Sequence, residues 1–274
     1  MTDWELFEAE ACHYLNELYK NTPITFHETG GKDAYSSDIQ VFSGEEYLFS
    51  IEAKYAPCQS GQFVLLEEND TYKLSAASTF EQNDYTEEII RFLNEHKHHY
   101  SPKGQRALPI EMTQDVLAGW VVEHYKRKDS HFIITSTKLN DYKAMIPMER
   151  VGDYFNVSAV LRRKRSGTSY VARKRMAHCL EELEKYAMER DVTIEKITHG
   201  KKPSVRFQQD IELTRAESYV GEDYFLSRIR GERGYYLKTR SKTNNLNVIF
   251  TLDYIGPEEN IGVPTLDEMI RAYH

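Results

Sequence analysis

The chain has 274 residues, enough for one large domain or two, and 28% charged with 12% aromatic residues is the make-up of a soluble globular protein. It contains no apolar run near 18 residues, which excludes a membrane-spanning helix, and its acidic start (Asp3, Glu5, Glu8, Glu10) lacks the form of a secretion signal. The net charge of −8 argues at first against a nucleic-acid partner, but residues 1–100 hold 19 acidic and 6 basic residues while the remainder holds 24 and 29, an asymmetry compatible with one.

Residues 4–19 predict a helix, with Trp4, Phe7, Ala11, Leu15 and Leu18 at three- and four-residue spacing. Glu8 falls inside that stripe, where a carboxylate costs energy unless something compensates it or it lies at the stripe's edge and snorkels to solvent. Residues 21–33, with Pro23 and the Gly30–Gly31 pair, read as a loop. Residues 38–54 then read as two alternating strands joined by a turn at Ser43 and Gly44. Ile39 and Val41 point one way in the first strand, Asp38 and Gln40 the other. In the second, Tyr47, Phe49, Ile51 and Ala53 share one face, and Leu48, Ser50, Glu52 and Lys54 share the opposite one. Two carboxylates and an ammonium therefore gather at one edge of a small sheet, the outline of a metal-plus-lysine site. Read from the residues alone, Glu52 and Lys54 also suit a solvated hairpin.

Beyond the hairpin, residues 55–63 read as a loop in which Pro57 ends the strand and Gly61 allows close backbone approach. Its Gln59, Ser60 and Gln62 are candidates for contact with DNA phosphate or a metal-bound water, or for the solvated amides of a capped loop. Helices are expected over 85–97 and, after a Thr113 cap, over 113–127, followed by a short buried strand from His131 to Thr135. The cluster His96, His98 and His99 lacks helical zinc spacing and reads as a solvated helix end. Cys12, Cys58 and Cys179 are odd in number and far apart, which suits a reduced, cytoplasmic setting. No glycine-rich phosphate loop, Gly-x-Ser-x-Gly turn or CxxC pair occurs, so a nucleotide cofactor, serine hydrolysis and zinc-finger recognition lose support.

Three acidic-x-Lys triplets occur in the chain, but only Glu52-Ala53-Lys54 closes an alternating strand that follows another strand carrying an acid. Asp38, followed fourteen residues on by that triplet, resembles the PD-(D/E)XK nuclease superfamily, type II restriction endonucleases in particular. Ser37 stands where the name of the motif has proline. The resemblance covers roughly the first 140 residues. It implies an α/β (α+β) fold with a mixed central sheet flanked by helices, a restriction-endonuclease-like core expected over 1–150. It implies that Asp38, Glu52 and the Ala53 carbonyl hold Mg²⁺, with Mn²⁺ substituting, that Lys54 orients the attacking water, and that Glu8 supplies an acid from the preceding helix. The implied activity is that of a type II restriction endonuclease, an endodeoxyribonuclease of a restriction-modification system. Its partner would be double-stranded DNA, cut by a homodimer.

From residue 150 the character changes. Residues 155–161 read as a strand that runs into Arg162, Arg163, Lys164 and Arg165; Arg173, Lys174 and Arg175 open a helix reaching to about residue 190. No acid occurs between Tyr154 and Leu180, which favours phosphate contact over a merely solvated face. Lys201 and Lys202 in a loop, and Arg228, Arg230, Arg233, Lys238, Arg240 and Lys242 around Tyr235 and Tyr236, extend the basic character. With strand-like stretches at 204–208 and 246–254, residues 151–274 are expected to form a β-rich, basic DNA-recognition half packed on the core and ending in a helix near 265–273. Two other functions fit less of the sequence: a repair or recombination nuclease that reads DNA structure, and a DNA-binding regulator without chemistry.

Overall fold

The computed structural model of the chain describes residues 3–29, 37–101, 107–163, 169–214, 217–240 and 245–273. The backbone divides into two compact units, Met1–Arg162 with Leu246–His274, and Arg163–Asn245.

The first unit opens with α1 (Asp3–Leu18), whose Phe7, Glu8, Ala11, Cys12 and Leu15 are buried, while Trp4 and Leu18 at the two ends of the expected stripe are exposed. Next, β1 (Ile24–Glu28) occupies the stretch read as a loop: Ile24 and Phe26 alternate with Thr25 and His27 and are buried. It pairs antiparallel with β2 (Ile39–Ser43), which pairs antiparallel with β3 (Glu46–Tyr55). Pro57 does end β3, but β4 (Cys58–Glu68) begins at the next residue, so most of the expected 55–63 loop is a strand. There follow β5 (Thr71–Leu74), α2 (Asp84–Glu95), β6 (Leu108–Pro109), α3 (Gln114–Lys126), β7 (Ser130–Ser136), β8 (Ala144–Pro147), the single turn α4 (Val151–Tyr154) and β9 (Phe155–Arg163).

One mixed sheet has the order β1-β2-β3-β7-β8, and β3 and β7 run parallel at its centre. The two-residue period of these strands divides the core. Ile51, Ala53, Phe132 and Ile134 pack with Phe7, Ala11 and Leu15 of α1. Ile133, which lies opposite Glu52 in the ladder, packs with Trp120 and Val121 of α3. Both faces are covered, so β7 is buried almost throughout, with Phe132, Ile133 and Ile134 as its apolar centre.

The second unit holds α5 (Met176–Glu189), β10 (Ile194–Thr198), β11 (Ser204–Phe207), β12 (Tyr219–Val220), β13 (Tyr224–Arg228) and β14 (Tyr235–Thr239). Its antiparallel sheet, in the order β10-β11-β14-β13-β12, buries Val205, Tyr224, Leu226 and Leu237 in one cluster with Cys179 and Leu183 of α5. The chain then returns to the first unit through β15 (Leu246–Tyr254) and ends in α6 (Val263–Ala272). The boundary expected at residue 151 is therefore misplaced. β9 and β15 belong to the first unit, where they complete a second sheet in the order β5-β4-β15-β9-β6. The reason is burial: Val157, Leu161, Val248 and Phe250 share a core with Phe63 and Trp120. No helix among the described residues is long and apolar enough to cross a membrane.

Candidate active site

The register of the β2–β3 hairpin builds the site. Ile39 faces Ile51, so Asp38, one residue before β2, comes level with Glu52 and Ala53 where the ladder ends. Asp38 Oδ2 accepts the Ala53 N–H at 3.0 Å and the Lys54 ammonium at 2.6 Å. The same Nζ lies 2.8 Å from Glu52 Oε2 and 5.4 Å from the centre of the Tyr125 ring on α3. Alternation along β3 puts Glu52 and Lys54 on one face, and the hairpin turns Asp38 towards them.

A polar shell lies behind the carboxylates. The Ser130 hydroxyl donates to Glu52 Oε1 at 3.2 Å and sits 3.0 Å from Ser37 Oγ. Ser37, at the position where the resembled motif is named for proline, is buried and donates to the Lys128 carbonyl at 2.8 Å.

The environment separates the carboxyls electrostatically. Burial opposes the charge of Asp38, yet the Lys54 ammonium, through its charge and its hydrogen bond, and the Ala53 N–H hold its carboxyl below the ordinary value. Glu52, 1% exposed, is pushed up by burial and then by the Asp38 charge, against the pull of Lys54. Burial alone would lower Lys54, but Asp38 and Glu52 outweigh it and keep the ammonium charged. Glu8 feels the same group from α1: burial, followed by the Asp38 charge, raises its carboxyl to about 7.

Among the described residues no group of three or more His, Cys, Asp or Glu side chains could hold a metal ion. What converges is two carboxylates on a point already occupied by a cationic atom, with Ala53 beside them. In an extended strand the N–H and C=O of one residue point to the same edge, so the Ala53 carbonyl is directed to the edge where its N–H meets Asp38. Two carboxylates and a carbonyl make an all-oxygen, hard donor set. That set suits Mg²⁺ or Mn²⁺, of which Mg²⁺ commonly takes one or two protein carboxylates and keeps water elsewhere.

Asp38, Glu52 and Lys54 open into a cleft of about 420 Å³ that Gln59, Gln62, Glu81, His124 and Lys128 also line. A β-bulge aims the two glutamines. Gln62 pairs with Ile249 and Gln59 with Thr251, leaving Ser60 and Gly61 opposite Phe250 alone. Gly61 adopts φ +85°, and a Cβ there would stand 2.8 Å from the Trp120 ring. Ser60 is fully buried, which removes it from the set of phosphate contacts read from the sequence. Glu81, His124 and Lys128 were not singled out in the sequence. The one available signal was the cationic run Lys126-Arg127-Lys128 at the end of a predicted helix.

The basic residues have varied surroundings. Arg162 and Arg163 are half-buried at the end of β9, and Lys164, Arg165 and Lys242 lie outside the described residues. Arg173, Lys174, Lys201, Lys202 and Arg230 are exposed, and Arg173 and Lys201 line one pocket of the second unit with His199. Others are engaged within that unit. Arg175 pairs with Asp223 at 3.5 Å, Arg228 with Asp210 at 3.2 Å, Lys238 lies 4.9 Å over Tyr170 and Arg240 4.2 Å over Tyr219. The histidine cluster forms no metal-holding group among the described residues: His96 caps α2, its ring nitrogen 2.9 Å from the Phe92 carbonyl.

The mixed sheet flanked by helices, with paired carboxylates and a lysine at the end of its hairpin, is the restriction-endonuclease fold. No family model matches the chain, and no curated protein matches it. Among solved structures it is similar to HhaI endonuclease in complex with DNA, at 28% identity and a TM-score of 0.67, over 99% of this chain and 98% of that one.

Proposed function

We propose that this chain is a Mg²⁺-dependent type II restriction endonuclease of the PD-(D/E)XK superfamily, hydrolysing phosphodiester bonds of double-stranded DNA at a specific sequence. One observation carries the reading: Asp38 and Glu52 both lie within hydrogen-bond distance of Lys54 Nζ, and all three line one cleft. Similarity along nearly the whole chain to an endonuclease solved on DNA supports it. Asp38, Glu52 and the Ala53 carbonyl would hold the ion, which when bound supplies Lewis-acid polarisation of a phosphoryl oxygen. Lys54 does the rest of the electrostatic work. Its charge is maintained by the two carboxylates, and its Nζ offsets negative charge growing on phosphoryl oxygens and orients a nucleophilic water. Cutting both strands of a two-fold site calls for two copies of this site, hence a homodimer.

The test is digestion of sequenced plasmid DNA with Mg²⁺, followed by end mapping. Discrete fragments with common ends are expected from the wild type and none from Asp38→Ala, with DNA binding retained in Ca²⁺. Cleavage by Asp38→Ala at the wild-type rate would overturn the assignment. Cutting of branched or flapped DNA with intact duplex spared would replace it by a structure-specific nuclease.

A further inference from the structure

A second pair of polar side chains lies in the cleft and takes no part in the chemistry above. Glu81 ends the short 3₁₀ segment Ala76–Glu81, and His124 stands near the end of α3. Both are buried, and both line the cleft that Lys54 opens into. His124 Nδ1 lies 3.0 and 2.9 Å from the two carboxylate oxygens of Glu81.

The ring has little freedom to turn. Trp120 stacks on it with centroids 5.1 Å apart and planes within 10°, and Trp120 is itself stacked on Phe250 at 3.8 Å. The bulge brings Gly61 against the ring edge, where an added Cβ would meet His124 Cδ2 at 3.1 Å. With Nδ1 committed to Glu81, Nε2 is the ring nitrogen left for a ligand, and no residue among those described bonds it.

The chemistry of that nitrogen selects its ligand. A phosphate oxygen can only accept, so Nε2 must carry a hydrogen to meet one. A ring that donates from Nε2 to phosphate and from Nδ1 to the Glu81 carboxylate at the same time is an imidazolium. A carboxylate on its far side is the counter-charge that a cation at a buried position requires. Lys128, four residues further on, adds positive charge to the same cleft. We infer that His124, fixed by Glu81, binds a non-bridging phosphate oxygen of the DNA backbone, a contact separate from Asp38, Glu52 and Lys54. The inference rests on the nuclease reading and adds to it a residue that holds the strand.

The test measures binding of the full chain to a short duplex containing the mapped cleavage site, with Ca²⁺ in place of Mg²⁺, over a series of salt concentrations. For His124→Gln the affinity is expected to fall about tenfold, and the slope of log K against log salt to shrink by about 0.9, the share of one phosphate. Glu81→Gln keeps the shape of the pair without its charge and moves both quantities in the same direction by less. If His124→Gln fails to fold, as judged by circular dichroism, Glu81→Gln decides alone. Wild-type affinity and slope in the folded variants, with only a lower melting temperature, would show the pair to be a packing element and overturn the inference. A wild type that neither cuts plasmid nor binds duplex would instead remove the nuclease reading itself, and this contact with it.

Discussion

Glu8 gives the sharpest physical test of the site, because the fold moves its titration into an accessible range. Its carboxyl rises from an ordinary value near 4.5 to about 7, first through burial and then through the Asp38 charge. An acid raised in this way binds protons more tightly in the folded chain than in the unfolded one. Stability is therefore full below the unfolded value and is lost as pH rises from about 4.5 through 7. At 1.36 kcal/mol per unit the shift converts to a ceiling of about 3 kcal/mol, and solvent screening of part of that field reduces it to about 1–2 kcal/mol. Glu8→Gln keeps the size of the side chain and cannot ionise. It should match the wild type near pH 4.5 and exceed it by about 1–2 kcal/mol at pH 8, measured by urea unfolding without divalent ions. A Glu8→Gln curve that runs parallel to the wild type across that range would refute the reasoning, since the burial and the Asp38 field would then have no effect on folding. On the proposed reading the same carboxylate faces a metal. Mg²⁺ should then stabilise the wild type more than Glu8→Gln at pH 7.

Three further outcomes follow from the geometry. Lys54→Met leaves Asp38 and Glu52 buried against each other without a counter-charge. It should cost about 3–5 kcal/mol at pH 8 by chemical denaturation, with recovery in acid or on adding a divalent ion. Gly61→Ala must hold a Cβ at φ +85° against the Trp120 ring, and calorimetry should register a loss of about 2–4 kcal/mol. Single Arg173→Gln and Lys201→Gln variants, both at exposed positions of the second unit, should each reduce the salt slope of duplex binding by about 0.9, read by anisotropy, without change in cleavage position.

The hairpin at 38–54 was legible because its signals are local. A two-residue period, a Gly44 turn and an acid at the start of one strand suffice to bring Asp38, Glu52 and Lys54 to one edge. Glu8 was legible for a related reason, as a carboxylate inside an apolar stripe, although the ends of that stripe, Trp4 and Leu18, turned out exposed. β4 is hidden in the sequence because its local signals mislead. Pro57, Gly61 and three polar residues mark a loop, and only pairing with β15, far along the chain, makes them a bulged strand. Gly61 serves there to make room for Trp120, a packing fact that no window of sequence contains. The same distance hid the Glu81–His124 pair, 43 residues apart and joined by tertiary packing alone. β9 and β15 read as strands in the sequence, but alternation shows that a strand has a buried face and not which sheet it joins, and both join the first unit.

Charge follows the two units more closely than it follows the halves of the chain. Arg163–Asn245 holds 19 basic and 12 acidic side chains, a net +7, which leaves −15 for the unit that carries Asp38, Glu52 and Lys54. Two carboxylates against one ammonium leave that site negative, and a phosphate a few ångströms away is repelled by about 1 kcal/mol at the dielectric of water and by more within protein. On the proposed reading, then, the strand cannot be held by the metal site before the ion arrives, and the grip must come from cations elsewhere. The structure narrows which ones. Arg175 and Arg228 are tied to Asp223 and Asp210, and Arg228 also donates to the Ile211 carbonyl and the Tyr235 hydroxyl, so its removal would loosen the 208–213 segment before it weakened any binding. On that reading Arg173, Lys174, Lys201, Lys202 and Arg230, all exposed, are candidates to carry phosphate affinity at little cost to the fold.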